Sequence, residues 1–314
     1  MKTLKIILVI IAALVVNSCE EDFNPFGDYQ EKYVFNCVLR GDTTLQVAAV
    51  AHTYNPGYDA MSNTDDPFLS GADVRIWYGD SVYLFKDTTI ERTDDSRYGS
   101  QMNVYKCEKF SVDYNKTIEA EIMLPNGRRL KSSITTPSRT FFASTSSTTV
   151  PTGSNKTFRI EWTNDTDGIY YLPDFSVIYY KKENGQQVKY TKKIPASYKD
   201  GEAVYFTPVR QKFVTITVET LTKALNEIAG DDDKSNYTIK LTPVFKVAAY
   251  NETLSRYYSI SSQTFDHLTV RVDENDYSNV DGGYGLFGAF TSTQYTSIKL
   301  YSSFITSMGY KVTD

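Results

Sequence analysis

The chain has 314 residues, 41% of them hydrophobic and 23% charged, which supplies a real core and excludes long disorder. A formal charge of −5 leaves no basic surplus for a phosphate-tracking surface, so nucleic acid is not an expected partner. Tyrosine is the outlier, at 25 residues beside 17 Phe, while His occurs twice and Cys three times.

The chain opens with Lys2 and Lys5, an unbroken apolar run over residues 6–16, and then Asn17-Ser18 before Cys19. Eleven apolar residues rise only ~17 Å as a helix, too little to span a bilayer, so residues 1–18 read as a cleaved signal peptide. A cysteine directly after a small residue at the end of such a core matches the bacterial lipobox, whose thiol is acylated and becomes the new N-terminus. Cys19 is therefore the expected lipid anchor, and several acyl chains on it would make attachment effectively permanent. Glu20, Glu21 and Asp22 follow at once. They resemble the export tag of Bacteroidota lipoproteins sent to the outer face of the outer membrane, the alternative being a solvated linker. Residues 19–30 read as a flexible tether.

From Tyr33 the pattern has period two, with Val34, Asn36 and Val38 alternating with Phe35, Cys37 and Leu39, and short strands dominate from there on. Residues 55–70 read as a loop before Gly71-Ala72-Asp73-Val74 restarts the alternation. Asn126-Gly127 is the signal of a two-residue hairpin turn. Residues 31–140 make a first module. Residues 141–156, rich in Ser, Thr, Gly and Pro, read as a linker or exposed loop, and residues 157–314 make a second module. In that module Glu183-Asn184-Gly185 is a further hairpin turn. Residues 219–229 place Leu221, Leu225 and Ile228 on one helical face, with Gly230 as the stop, and residues 251–260 read as a second helix capped by Asn251. The expected fold is mainly β: two β-sandwich modules in series, the second with one or two short helices. A transmembrane barrel competes, and the polar end Thr313-Asp314 counts against it.

Cys37 and Cys107 stand seventy positions apart. An oxidising compartment would permit a disulfide between them, worth ~4 kcal/mol in the chain-entropy model. Two isolated buried thiols are the equal alternative, because spacing cannot show that the side chains meet.

The Tyr33-Val34-Phe35-Asn36 strand, Gly71-Ala72-Asp73-Val74, Ile134-Thr135-Thr136-Pro137 and above all the motif from Tyr277 to Phe290, with Val280, Gly283, Tyr284, Gly285 and Phe287 inside it, resemble Bacteroidota lipoproteins of the domain-of-unknown-function family 4249. The resemblance implies a first module like transthyretin and carboxypeptidase-regulatory sandwiches and a second like fibronectin type III. Members are typically encoded beside TonB-dependent outer-membrane receptors, which implies an accessory part in nutrient import. The family brings no catalytic residues with it. Asp281-Gly282-Gly283 departs from the more Asn- or Glu-rich stretch expected there.

Gly283-Tyr284-Gly285-Leu286-Phe287-Gly288 satisfies G-x-G-x-x-G, yet a dinucleotide site needs a helix after it and an acid about 20 positions on. Here residues 291–300 read as β and the only later acid is Asp314. The glycines instead permit positive φ and close backbone approach, while Tyr284, Phe287 and Phe290 pack the joint between modules. His52 and His267 are too few for a zinc or haem centre, and no metal or cofactor is expected. Calcium ligands could come from Asp273-Glu274-Asn275-Asp276 or Asp231-Asp232-Asp233, but neither has EF-hand spacing and both read as solvated turns. No Gly-x-Ser-x-Gly elbow accompanies a histidine, and no carboxylate pair stands out.

The expectation is a non-enzymatic outer-membrane lipoprotein that assists a TonB-dependent transporter in nutrient uptake, on the cell-surface face, with a peptide or glycan as cargo. Tyr277, Tyr284, Phe287 and Phe290 are its candidate contacts. The alternatives are a surface adhesin or fimbria-like subunit and, more remotely, a hydrolase with unrecognised paired carboxylates.

Overall fold

The computed structural model describes residues 30–53, 65–92, 98–261 and 277–314. Cys19, the acids after it, His267 and the 273–276 cluster lie outside the described residues. The chain is mainly β, as its alternation predicts. The first strands are β1 (Tyr33–Arg40), β2 (Gln46–His52), β3 (Asp73–Tyr78), β4 (Ser81–Glu91), β5 (Gln101–Cys107), β6 (Thr117–Met123) and β7 (Arg129–Thr135). There follow β8 (Phe141–Phe142), β9 (Thr149–Val150), β10 (Thr157–Thr163), β11 (Tyr171–Glu183), β12 (Gln186–Lys193), β13 (Ser197–Lys199), β14 (Glu202–Val204) and β15 (Phe213–Thr217). Helix α1 (Val218–Ala229) leads to β16 (Tyr237–Lys240) and β17 (Val244–Tyr250), then α2 (Glu252–Ser261), β18 (Phe287–Tyr295), β19 (Lys299–Leu300), α3 (Ser302–Ser307) and β20 (Lys311–Thr313).

Strict alternation buries Tyr33, Phe35, Cys37 and Leu39 of β1 while Asn36 and Arg40 face outward. β4 carries the chain between two layers. Its first half pairs with β3, which continues through β6 to β7, and its second half pairs with β5, which leads through β2 to β1. Such a layer-switching strand makes the corner of a sandwich. The space between the layers is filled by Phe35, Leu39, Val50 and Tyr105 from one side and Ile76, Ile118, Ile122 and Leu130 from the other. Burying each of these contributes roughly 1.5–3 kcal/mol. The β6–β7 turn is longer than the Asn126-Gly127 signal suggests. Leu124 N–H donates to Arg128 O and Gly127, at φ +82°, donates to Leu124 O, so the loop is Pro125-Asn126-Gly127. At Glu183–Gln186 the expected two-residue turn is present, with Asn184 and Gly185 both at positive φ.

The second core lies between the β15-β10-β8 sheet and the middle of β11 and β17, where Trp162 meets Tyr171 edge-on at 5.7 Å and Phe158 meets Phe175 at 6.1 Å. Helix α1 closes it with Leu221, Ala224, Leu225 and Ile228. Thr217 caps its N-terminus by accepting from Thr220 N–H, and Gly230, at φ +56°, ends it. Asn251 likewise caps α2 through Leu254 N–H.

Two sequence readings are revised. Of the two readings of residues 141–156, linker or exposed loop, the linker falls and the loop stands, tied into the second half: β8 pairs with β10, β9 pairs with β19, and Val150 is wholly buried in the second core. Their hydroxyls stand in for apolar packing, since Ser146 Oγ donates to Glu161 O and accepts from Glu161 N–H. The second correction concerns residues 157–314, which do not form one module. Val280, Phe287 and Ala289 belong to the first core. β18 pairs in parallel with β1 and antiparallel with β17, so one 13-stranded sheet runs through both halves, from β20 to β7, without closing on itself. Among the described residues no helix is long and apolar enough to cross a membrane.

Cys37 and Cys107 are both buried and free. Cys37 lies opposite Ala48 of β2 and Cys107 opposite Gln46 of the same strand, so β2 runs between them. Two strand spacings amount to ~10 Å, beyond the ~7 Å that a disulfide bridges. Of the two readings left open by the sequence, the structure holds the isolated buried thiols and not the bridge, and burial pushes the Cys37 thiol up and, with Glu108 nearby, that of Cys107 as well. Thiol titration of the native protein is expected to label both slowly and to label both fully after denaturation. A melting temperature that fell on adding reductant would contradict this.

Tyr171 offers a second check. Its hydroxyl is buried without a hydrogen-bond partner among the described residues, and burial pushes its pKa up to about 12. Tyr171→Phe removes an unsatisfied polar atom and is expected to raise stability by ~1 kcal/mol at neutral pH. In the folded state the phenol ionises later than an ordinary tyrosine. Its contribution is therefore complete below about pH 10 and lost as pH rises through about 12, so the variant's alkaline limb should begin later.

Candidate functional site

The motif from Tyr277 to Phe290 is a stitched joint. Its first part bridges β7, where Asp281 N–H donates to Lys131 O and Lys131 N–H returns to Asp281 O. Its second part runs beside β1: Tyr284 N–H donates to Tyr33 O, Phe35 N–H to Tyr284 O and Cys37 N–H to Leu286 O. Asn36 Oδ1 takes Leu286 N–H at 2.9 Å. Asn279 holds the turn from within, donating from Nδ2 to Phe287 O and accepting Phe287 N–H at Oδ1. Asn251, at the head of α2, accepts both Leu254 N–H and Ala289 N–H at Oδ1, tying that helix to β18.

Gly283 and Gly285 are required there. A Cβ on Gly283 would strike Tyr33 O, and one on Gly285, whose φ is +117°, would overlap Phe35 O. No helix follows to present amides to a phosphate, because β18 begins at Phe287. The structural reading of the glycines is what the backbone shows.

The four candidate aromatic residues do not gather at one site. Phe287 is wholly buried and packs on Phe35 at 6.0 Å. Phe290 is half-buried against Tyr250. Tyr284 is 38% exposed, and its hydroxyl accepts from Lys32 Nζ at 2.8 Å. Tyr277 lines a shallow hollow of about 300 Å³ with Tyr257, Asn36 and Leu286. Beside it, Tyr258 is edge-on to Tyr170 and Tyr250, and Arg210 lies over the Tyr170 ring at 4.9 Å. Hydrogen bonds from Ser259 and Arg210 hold the Tyr170 phenol below its usual value, whereas burial pushes Tyr250 up to about 12. Most of these rings are therefore structural.

The exposed face with the strongest chemical contrast lies elsewhere, on the outer surface of the β4-β3-β6-β7 layer. Trp77 is 41% exposed there, opposite Val82 on β4 and Glu119 on β6. On its β6 side a groove of about 420 Å³ is lined by Glu119, Glu121, Lys131, Ser133 and Asp281. Glu121 is paired with Arg129, whereas the side chains of Glu119 and Lys131 have no partner among the described residues. Strand period two could have located this face: Val74 and Ile76 point inward, so Trp77 must point out.

The histidine that is described, His52, faces Glu31 at 3.1 Å and the carbonyl of Thr53. The 231–233 turn is occupied by its own neighbours: Asp232 accepts from Tyr237 and Lys181, and Asp233 caps Ser235. Among the described residues no group of three or more His, Cys, Asp or Glu side chains could hold a metal ion.

A search of curated proteins returns no match for this chain. A family model described as a domain of unknown function, DUF4249, matches residues 20–296, which takes in the first core, most of the second, β18 and the stitched joint. On that match the chain belongs to the domain-of-unknown-function family 4249.

Proposed function

We propose that this protein is a non-enzymatic lipoprotein, anchored to the outer membrane through Cys19, that assists a TonB-dependent transporter by holding cargo, a peptide or glycan, or the transporter itself. The observation that carries the reading is the Trp77 face. A large indole 41% exposed on the outer sheet face, beside Glu119 and Lys131 that have no partner among the described residues, supports this, since aromatic rings with flanking polar groups are what contact surfaces are made from. The leader over residues 6–16, Cys19 directly after it and the acidic 20–22 stretch support the placement at the outer face. A tether to the same bilayer raises the local concentration of the protein around a transporter, so a weak contact suffices.

Purification from membranes after cross-linking tests the reading. A large outer-membrane barrel should accompany the wild-type protein and be lost with Trp77→Ala. Mass spectrometry should find acyl chains on Cys19, and Cys19→Ala should release the protein from membranes. Recovery without any barrel neighbour, or an unmodified sulfur at position 19, would sink the proposal.

A further inference from the structure

Residues 81–85, the first half of β4, form an open border. They pair with β3 through the Val74↔Phe85 to Tyr78↔Ser81 register, whereas β5 joins β4 only from Lys86 onward. Tyr78 and Ser81 flank a two-residue turn whose first residue, Gly79, has φ +59°, and so they are the hydrogen-bonded pair that closes the hairpin. Antiparallel pairs alternate. Val82 and Leu84 are therefore the non-bonded pairs towards β3, and their N–H and C=O groups point outward across the border. Among the described residues no other strand or loop backbone bonds to them.

Natural borders of this kind are blunted by charge, proline or a bulge. This one instead presents Val82 at 40% and Leu84 at 59% exposure, next to Trp77. Its two ends carry opposite charges. Asp80 and Lys86 are both exposed, and neither has an ion-pair partner among the described residues. Beyond Leu84 the border opens into a groove of about 500 Å³ lined by Lys86, Lys106, Lys109, Asp87 and Glu108. Unpaired backbone donors and acceptors in strand geometry call for another strand, and the charge pattern says which one. If an identical segment is laid antiparallel about Tyr83, Val82 falls opposite Leu84; β5 takes the place beside Lys86, so backbone pairing stops short of it, and Asp80 of each copy, in the hairpin turn, meets through its side chain the lysine-lined groove where Lys86 and Lys106 of the other stand side by side.

From this self-complementarity we infer that the Ser81–Phe85 border is the interface between two copies of this chain, related by a two-fold axis through Tyr83 and joining their β4-β3-β6-β7 layers into one sheet. The border is short, and tethering of both copies in one bilayer supplies the concentration that a small contact needs.

Sedimentation equilibrium of the full chain in detergent, over a wide concentration range, tests this. The wild type should pass from monomer to dimer. Asp80→Lys and Lys86→Asp should each weaken dimerisation by about tenfold, since each turns two symmetric attractions into repulsions. Mixing these two variants in equal amounts should restore association, because the heterodimer regains both opposite-charge pairs. Leu84→Pro, which deletes an outward N–H and leaves the β3 ladder intact, should abolish the dimer while the melting temperature stays near that of the wild type. The charge-variant mixture reads the interface even if Leu84→Pro does not fold. A monomer at every concentration, a dimer indifferent to all of these changes, or a mixture that associates no better than its components would each overturn the inference.

Discussion

Gly285→Ala is expected to be the most damaging single substitution in this protein, costing more than ~4 kcal/mol and lowering the melting temperature by about 10 °C or preventing folding. Two penalties combine at this position. A φ of +117° is one that side-chain-bearing residues rarely adopt, and the new Cβ would overlap Phe35 O, whose backbone cannot retreat because Phe35 N–H is committed to Tyr284 O. Gly127→Ala is the natural control. Gly127 also has a positive φ, of +82°, but nothing lies within 4 Å of a Cβ built there, so conformational strain alone should cost ~1 kcal/mol. Thermal unfolding of the two variants side by side separates strain from collision. Equal losses would mean that the close approach of the joint to β1 is not what the glycine serves.

Phe287→Ala is the second large effect, at roughly 3–5 kcal/mol. The side chain is wholly buried against Phe35, and its strand is hydrogen-bonded to β1 on one side and β17 on the other. Deleting the ring leaves a cavity at the place where the two halves share a sheet. The damage should therefore reach both cores. Trp77 sits on the first half and Trp162, 2% exposed, in the second core, so denaturant titration of Trp77→Phe and Trp162→Phe backgrounds reports each half separately. With Phe287 intact both tryptophans should report one transition. Phe287→Ala should lower the midpoint of both, while Phe290→Ala, half-buried three residues further along the same strand, should cost only about a third as much. A Phe287→Ala variant that moved the first half alone would show that β18 does not couple the halves.

The joint itself was legible only in part. The motif around Gly285 is conspicuous as a string of glycines and aromatic residues, and the absence of a following helix already argued against phosphate binding. What it stitches was not legible. Pairing of Phe287 with Cys37 spans 250 positions, and a parallel contact between strands so far apart leaves no local turn signal. The same reason explains the 141–156 segment: Thr145 and Ser146 are satisfied by Glu161, a partner that becomes visible only once β10 is folded against it. Cys37 and Cys107 failed to meet because a third strand is inserted between theirs, an order that sequence spacing does not encode.

By itself the chain determined its class and its elements. Alternation at period two placed β1, β3, β6, β7 and β10, the apolar stripe of Leu221, Leu225 and Ile228 with Gly230 at its end placed α1, and Asn184-Gly185 placed a hairpin. These are local choices, made by backbone sterics and by which face of a short segment is apolar. Only the tertiary structure decided that β18 unites both halves in one sheet, that Phe287 is core while Trp77 faces water, and that residues 81–85 keep an open border. Those outcomes depend on which strands become neighbours, a matter of long-range packing in which each segment's surface is defined by what does, or does not, come to lie beside it.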